Sequence, residues 1–216
     1  GPYFRDMLRR VMNANEPKRS DYRQYEDFKA DSTLWREDPL YGWLNKNLKP
    51  DGTKYNLDKE GLKIYTTINS KMQRYAEEAI AEHLGGELQR VFFNELRWKN
   101  NRPFSNDVPK SVTDNIMRQA RRWSDRYRMM SAAGASEKEI EESFTKPVKM
   151  TVFSWNKRGS VDTVMSPNDS IRYYKSFLRA SFMAVEPQTG FVKAYVGGPN
   201  YRYFKYDNAR QAKRQV

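Results

Sequence analysis

The sequence has no cysteine and only one histidine, His83, among its 216 residues. Without thiols the chain can form neither disulfides nor thiolate metal sites, and a single imidazole argues against most zinc chemistry. Long apolar runs are also missing, since the longest, such as residues 182–185, cover a few positions and cannot span a bilayer. No hydrophobic signal segment precedes Tyr3. These absences predict a soluble chain without a bound metal or cofactor.

The composition is polar and basic. Hydrophobic residues make up 38% and charged residues 31%, and the mean hydropathy of -0.97 predicts a modest core for one domain or two small ones. The 39 lysines and arginines exceed the 27 acids, giving a formal charge of +12. This charge favours a polyanionic partner, such as nucleic acid, anionic lipid or a glycan with carboxylates. No zinc-finger, basic-leucine or aromatic RNA-binding pattern supports the nucleic-acid alternative.

The first part of the chain shows one helical and one alternating pattern. Apolar spacing predicts a short amphipathic helix over residues 3–12, and the charged, aperiodic segment 15–32 is interpreted as a linker or extended chain. Alternation over 62–68 predicts a half-exposed strand. Buried positions are then expected at Leu62, Ile64 and Ile68, and also at Val185 in a later strand.

A helix is predicted to begin directly after this strand. Ser70 and Gln73 have the spacing of a capping box. Met72 and His83 fall within the apolar stripe that follows, so His83 is interpreted as a packed core residue. Glycines at 85–86 predict a kink or a restart of this helix.

Ser111 and Asp114 predict the start of a further helix. Its predicted inward face is apolar and comprises Val112, Ile116, Ala120, Trp123, Tyr127 and Met130. Its opposite side is basic and comprises Arg118, Arg121, Arg122, Arg126 and Arg128. Two interpretations of this arginine face stay open: a solvated helix surface, or a docking surface for an acidic partner, lipid headgroups or glycan.

The next segment contains clear local signals. Ser136 and Glu139 form a second capping box. Alternation then predicts a hairpin with strands near 148–153 and 161–165, and the Ser-Pro start at 166 predicts a helix over 166–178.

No group of residues in the sequence has the pattern of a catalytic site. The carboxylate pairs at 77–78 and 141–142 are adjacent, so on a helix they diverge by about 100° and cannot share a substrate bond. The glycines at 197–198 lack phosphate-loop spacing and are interpreted as a turn with unusual backbone angles. Ser170 has no lysine three positions later, and no other residue is a credible nucleophile.

The C-terminal segment carries a family resemblance. Residues 182–198 read Phe-Met-Ala-Val-Glu-Pro-Gln-Thr-Gly-Phe-Val-Lys-Ala-Tyr-Val-Gly-Gly, and Gln211, Arg214 and Gln215 form a Gln-x-x-Arg-Gln pattern. This succession of strand, turn, strand, Gly-Gly and Gln-x-x-Arg-Gln resembles the opening of the transpeptidase domain of class A penicillin-binding proteins. Residues 61–79 extend the resemblance.

A more specific likeness concerns one bacterial lineage. Residues 164–174 are similar to a version of the family associated with Bacteroidetes, which is also expected to contain a helical insertion like that at 85–147.

The resemblance implies a part of a bifunctional cell-wall synthase that is anchored in the cytoplasmic membrane and faces the periplasm. The parent would polymerise lipid II and cross-link stem peptides through a serine acyl-enzyme. Its Ser-x-x-Lys motif is expected beyond Val216, so this chain is expected to hold no catalytic residue. The expected partners are the remaining domains of the parent, with peptidoglycan, anionic lipid or an envelope regulator protein as further candidates. The alternative is a basic binding module for nucleic acid or another polyanion.

The predicted fold class is α+β, with a small mixed sheet from non-contiguous strands and a helical insertion. Residues 1–60 are interpreted as a connector after the glycosyltransferase domain, and 61–84 as a strand and helix that lead into the transpeptidase domain. The helical insertion occupies 85–147, a hairpin and helix occupy 148–180, and the first transpeptidase strands occupy 181–216.

Overall fold

The computed structural model describes residues 1–211 and divides into two compact units. Unit 1 comprises Gly1–Ala76, Ser181–Tyr201 and the described residues from Lys205 onwards. Unit 2 comprises Glu77–Ala180 and Arg202–Phe204. Arg214 and Gln215 of the Gln-x-x-Arg-Gln pattern lie outside the described residues.

The helices, in chain order, are α1 (Pro2–Met12), α2 (Tyr25–Glu37), α3 (Trp43–Lys46), α4 (Ser70–Ala79), α5 (Gln89–Leu96), α6 (Lys110–Arg122), α7 (Asp125–Ala132), α8 (Glu137–Ser143) and α9 (Pro167–Lys175). A short 3-10 turn covers Arg19–Asp21, and a π-helical segment, Ile80–Leu88, joins α4 to α5. The strands are β1 (Val148–Phe153), β2 (Ser160–Met165), β3 (Phe182–Val185) and β4 (Val192–Val196).

The α+β class is confirmed. The arrangement of the strands differs from the predicted mixed sheet, because β1 pairs with β2 and β3 pairs with β4 in two separate antiparallel sheets. Each sheet therefore joins strands that are neighbours in sequence, as expected when a short turn brings them together.

Helix α1 confirms the predicted amphipathic helix. Pro2 lies in its first turn, where the missing N–H costs no hydrogen bond, and Tyr3 and Met12 are buried.

Helix α2 corrects the interpretation of 15–32 as a linker, since the chain is helical from Tyr25 to Glu37. This helix buries no residue, so it leaves no apolar period in the sequence. Glu26 and Asp27 in the first turn and Arg36 in the last turn instead complement the helix dipole.

The strand predicted over 62–68 is wrong, because no ladder forms there. Two hydrogen bonds near its end reach β4: Thr67 Oγ1 donates to Val192 O at 2.7 Å, and Asn69 N donates to Lys193 O at 2.8 Å. The segment therefore touches the sheet without adding a strand to it.

The burial expected from that alternation is also wrong. Ile64 is 42% exposed and Val185 is 45% exposed, while Leu62 and Ile68 are half-buried. Alternation shows which side chains share a face, but only a neighbouring element covers that face.

Helix α4 begins at Ser70, as predicted, but Asn69 caps it. The Asn69 Oδ1 accepts hydrogen bonds from the backbone N–H groups of Lys71 and Met72 at 3.0 and 3.1 Å. Met72 is exposed, and the buried positions of the helix are Gln73 and Ala76.

Gln73 is only 6% exposed, and its amide is bound to the backbone of β4. Its Oε1 accepts from Tyr195 N at 2.8 Å, and its Nε2 donates to Tyr195 O at 3.0 Å. The side-chain amide thus hydrogen-bonds both the N–H and the C=O of Tyr195, as the backbone of a neighbouring strand would.

The interruption predicted at 85–86 takes the form of the π-helical segment. His83 is exposed within it, so its interpretation as a core residue is wrong, and Leu84 is buried instead. A π turn contains more residues than an α turn, so α-helical spacing misplaces the inward face.

The helix predicted from Ser111 onwards is two helices. Helix α6 has Pro109 at its N-cap and no side-chain cap, so Ser111 is not the cap. Ser124 begins α7, where its Oγ accepts from Tyr127 N at 3.3 Å.

The inward face of α6 also differs from the prediction. Thr113 and Met117 are buried, whereas Val112 is exposed and Trp123 is 78% exposed. Thr113 Oγ1 donates to the carbonyl of Lys110 at 2.9 Å, so its burial leaves no unpaired hydroxyl donor.

Three local predictions in unit 2 are confirmed. Ser136 and Glu139 form a reciprocal capping box at the start of α8. Ser166 caps α9, accepting from Asp169 N at 3.1 Å, and the hairpin of β1 and β2 pairs over its full length.

The core of unit 2 is aromatic. Phe153, Phe177 and Phe204 are buried together, and their rings meet edge to face or tilted at centroid distances of 5.0 to 5.7 Å. The half-buried aromatic residues packed against them are Phe93, Trp155, Tyr173, Tyr174 and Tyr203.

Gln89 of α5 is 1% exposed and connects α5 to the end of α9. Its Nε2 donates to Ser176 O at 2.9 Å, and its Oε1 accepts from Leu178 N at 2.8 Å. A second buried glutamine thus satisfies backbone groups that the α9 helix leaves unpaired.

Candidate docking site

The arginines of the predicted docking face lie on two helices. On α6, Arg118 and Arg122 are exposed, whereas Arg121 is half-buried and its Nη1 donates to Asn168 Oδ1 at 3.4 Å. The hydrogen bond from the Tyr127 hydroxyl to Glu137 raises the pKa of this phenol above its ordinary value. The nearby guanidinium group of Arg122 acts in the opposite direction, with a smaller effect.

On α7, Arg128 is exposed and forms an ion pair with Asp125, while Arg126 is half-buried. The break before α7 separates these residues from the arginines of α6, so they do not form one straight helical stripe. Arg118 and Arg122, one turn apart on α6, are the exposed arginines of the predicted face on that helix, whereas the exposed Arg128 of α7 is paired with Asp125.

An open groove beside α5, which the sequence did not indicate, combines basic and aromatic side chains. Its volume is about 250 Å³. The "α5 groove" is lined by Gly85, Gln89, Arg90, Phe93, Asn94, Arg97, Ser154, Trp155, Tyr173 and Phe177. All of these residues belong to unit 2.

Helical spacing explains how α5 builds one wall of this groove. Gln89, Phe93 and Leu96 face inward at intervals of four and three residues. Arg90 and Arg97, displaced by one position, lie beside that inward stripe and remain exposed.

Trp155 also lines the groove. A side chain at Gly85 would place its Cβ 2.5 Å from the Trp155 ring, so only glycine lets the helix approach this closely. The Trp155 Nε1–H is buried and has no acceptor among the described residues. A buried donor without a partner costs about 1–3 kcal/mol.

Tyr173 is a further lining residue of the groove. Its hydroxyl donates to Phe153 O at 2.6 Å, and burial raises the pKa of the phenol above its ordinary value. Tyr173 is therefore a neutral, fixed donor at physiological pH and not a proton carrier.

A buried tyrosine–aspartate pair lies in unit 1, near the family-like motif. Tyr195 OH donates to Asp207 Oδ2 at 2.6 Å, and Ala209 N donates to Asp207 Oδ1 at 3.0 Å. Burial, and then the hydrogen bond to Asp207, raise the pKa of Tyr195. Both carboxylate oxygens thus have partners, as in a structural pair.

Close packing also explains the glycines that follow β4. A Cβ at Gly197 would lie 2.5 Å from Asp207 Oδ1, and one at Gly198 would lie 2.5 Å from Tyr3 OH. Neither glycine has a positive φ, so the turn with unusual backbone angles is corrected to a close approach of side chains.

Within residues 1–211, no group of three or more histidine, cysteine or acidic side chains could hold a metal ion. Among the described helices, none combines the length and apolar character needed to cross a membrane.

The comparisons with known proteins point to one family. A family model described as the penicillin-binding protein middle domain matches residues 99–178, a range that lies within unit 2. It covers α6 to α9 and the hairpin of β1 and β2.

Two curated relatives are both called penicillin-binding protein 1A. The protein from Neisseria flavescens is 27% identical to this chain, and the protein from Vibrio cholerae serotype O1 is 25% identical. Each match covers 72% of this chain but only 22% of the relative's length. No solved structure matches the chain significantly.

These matches support the resemblance of this chain to a segment of the class A penicillin-binding proteins. This is the family that the motifs of residues 61–79 and 182–198 indicated. The segment includes the region of the middle domain. Its Bacteroidetes-like character stays a prediction.

Proposed function

We propose that this chain is a non-catalytic inter-domain region of a bacterial cell-wall synthase. The complete protein would polymerise lipid II and cross-link stem peptides through a serine acyl-enzyme, on the periplasmic side of the cytoplasmic membrane. The middle-domain match over residues 99–178 is the observation that carries this proposal. The proposed boundaries of the connector, the insertion and the transpeptidase lead-in are those predicted from the sequence.

Several buried polar side chains have structural roles. Gln73 and Gln89 each use a side-chain amide to fix a helix to backbone groups within their own unit. Asp207 similarly fixes Tyr195 beside the end of β4. Such satisfied polar contacts specify one arrangement of the elements and require no reacting group.

Fluorescent penicillin tests the non-catalytic assignment. We expect the full-length parent to form a covalent adduct, visible on a denaturing gel and by intact mass, and residues 1–216 to form none. A stable adduct on residues 1–216 would overturn the assignment. An unlabelled but folded parent would overturn the proposed acyl-enzyme activity.

We further propose that Arg118 and Arg122 dock an anionic partner, with peptidoglycan, anionic lipid and an envelope regulator protein as candidates beside the other domains of the parent. Both side chains are exposed and neither takes part in an ion pair with a described residue. Sedimentation with peptidoglycan or anionic liposomes should be weaker for R118E/R122E, while the free energy of unfolding should change by less than about 1 kcal/mol. Equal sedimentation of both proteins would refute the docking role.

A basic module for nucleic acid is the competing function, favoured only by the formal charge of +12. Gel shift with duplex and single-stranded oligonucleotides at increasing salt separates the two proposals. Weak binding that disappears near physiological salt indicates charge alone, whereas salt-resistant binding would favour the nucleic-acid module.

A further inference from the structure

The α5 groove has a charge imbalance that nothing in the proposed connector role explains. Arg90 and Arg97 lie at its edge, and neither forms an ion pair with a residue in the described range 1–211. No aspartate or glutamate lines the groove. Two guanidinium groups at this groove therefore give it a positive potential that no lining carboxylate offsets.

The groove is also lined by aromatic side chains, which are called its aromatic floor below. Phe93 and Phe177 meet edge to face at 5.4 Å, and the Trp155 ring lies against Phe153 at 5.1 Å. An inorganic anion would satisfy the arginines but leave this aromatic surface in water. An occupant that fits both parts must carry an apolar group beside negative charge.

The size of the groove narrows the class of ligand. Its volume of about 250 Å³ is below the range of roughly 300–1,000 Å³ that is usual for cofactor and drug sites. One apolar side chain fills such a space, while its flanking residues remain outside. Asn94, between Arg90 and Arg97 on α5, can bond a peptide backbone at this rim.

We propose that the α5 groove binds a short acidic peptide segment, with one apolar side chain on the aromatic floor and flanking carboxylates on Arg90 and Arg97. Guanidinium groups bind carboxylates by charge-assisted and often bidentate hydrogen bonds, which gives this contact its specificity. This site is separate from the proposed docking arginines of α6, and its test does not depend on the identity of the parent protein.

The probe is a fluorescein-labelled peptide in which one phenylalanine is flanked on each side by two glutamates. Matched peptides replace the phenylalanine by alanine or the glutamates by lysines. Fluorescence anisotropy gives the dissociation constants. The indole N–H signal of Trp155, identified by its loss in Trp155→Phe, reports occupancy of the groove in NMR spectra.

Three variants separate the proposed contacts from general charge. R90E/R97E removes the arginines that would bind the peptide's carboxylates, and K138E/K146E makes the same change in net charge at two exposed lysines to which no binding role is assigned. Asn94→Trp fills the mouth of the groove without altering charge. These substituted side chains are exposed, so circular dichroism should show folded proteins in each case.

We expect R90E/R97E to weaken binding about tenfold or more and Asn94→Trp to weaken it similarly, while K138E/K146E changes it less than about threefold. The alanine-centred peptide should also bind about tenfold more weakly. Equal losses in both double reversals, or binding that the alanine peptide retains, would show non-specific charge attraction and overturn the proposal. An unmoved Trp155 signal at saturation, or a mixed-sequence oligonucleotide that competes as well as the peptide, would overturn it too.

Discussion

The amide of Gln73 offers a sharp test of how α4 is held on β4. It makes two hydrogen bonds to Tyr195, at 2.8 Å and 3.0 Å, and is almost completely buried. Gln73→Ala removes both bonds and leaves a small cavity, whereas Gln73→Met removes the bonds but nearly conserves the volume. Gln119→Ala, at an exposed position of α6, is the matched control.

The expected loss follows from the groups left without partners. Each neutral hydrogen bond contributes about 0.5–1.5 kcal/mol net, and a buried donor or acceptor left unpaired costs about 1–3 kcal/mol. Water that enters the altered site will offset part of this penalty. We therefore expect both Gln73 variants to lower the free energy of unfolding by about 2–4 kcal/mol, and the control to change it by less than about 0.5 kcal/mol.

Two measurements check this value. Urea denaturation gives the change in unfolding free energy for the transition that includes β4, and hydrogen exchange reports the Tyr195 amide directly. That amide should exchange faster in both Gln73 variants. If Gln73→Met keeps the stability and the Tyr195 protection of the unsubstituted protein, the buried amide contributes packing only, and the reasoning from hydrogen bonds is refuted.

Further predictions concern three other residues. Gly85→Ala should cost about 1–3 kcal/mol and shift the Trp155 indole signal, because the added Cβ would lie 2.5 Å from that ring; an unchanged melting curve and spectrum would contradict this. Ser166→Ala removes the cap of α9 and should cost about 1–2 kcal/mol in urea denaturation, whereas a loss below about 0.3 kcal/mol would mean that water replaces the cap. Tyr195→Phe removes a phenol whose pKa is raised above 10.0, so the stability that this phenol provides is present below pH 10 and is lost as pH rises beyond it. The difference in unfolding free energy between the unsubstituted protein and Tyr195→Phe should therefore shrink above pH 10, and a constant difference would contradict the assigned shift.

Local signals in the sequence predicted several elements correctly. The capping box of Ser136 and Glu139, the Ser166 start of α9 and the hairpin of β1 and β2 depend on residues only a few positions apart. Such interactions form wherever the chain lies, so no knowledge of the remaining fold is needed.

The family-like motif was also readable from the sequence. Residues 182–198 gave the two strands of β3 and β4 and the connecting turn, and the later comparisons support the same family. The sequence also indicated the basic side chains of α6 and α7. It did not indicate that the helix is interrupted at Ser124, because the segments on both sides have helical composition.

Burial required the tertiary structure. The sequence placed Met72, Trp123 and His83 inside because they are apolar or lie on apolar stripes, yet all three are exposed. Gln73 and Gln89 are buried instead, each because its amide meets backbone groups far away in sequence: Tyr195 for one, Ser176 and Leu178 for the other.

The sequence by itself thus predicted the caps of α8 and α9, the two hairpins and a family resemblance that the comparisons support, since each is encoded in nearby residues. The tertiary structure alone decided which helix faces are covered and that Arg90, Arg97 and Trp155 share one groove. The physical reason is that a polar side chain can be buried wherever a distant partner satisfies its hydrogen bonds, and an apolar side chain stays exposed where no element covers it.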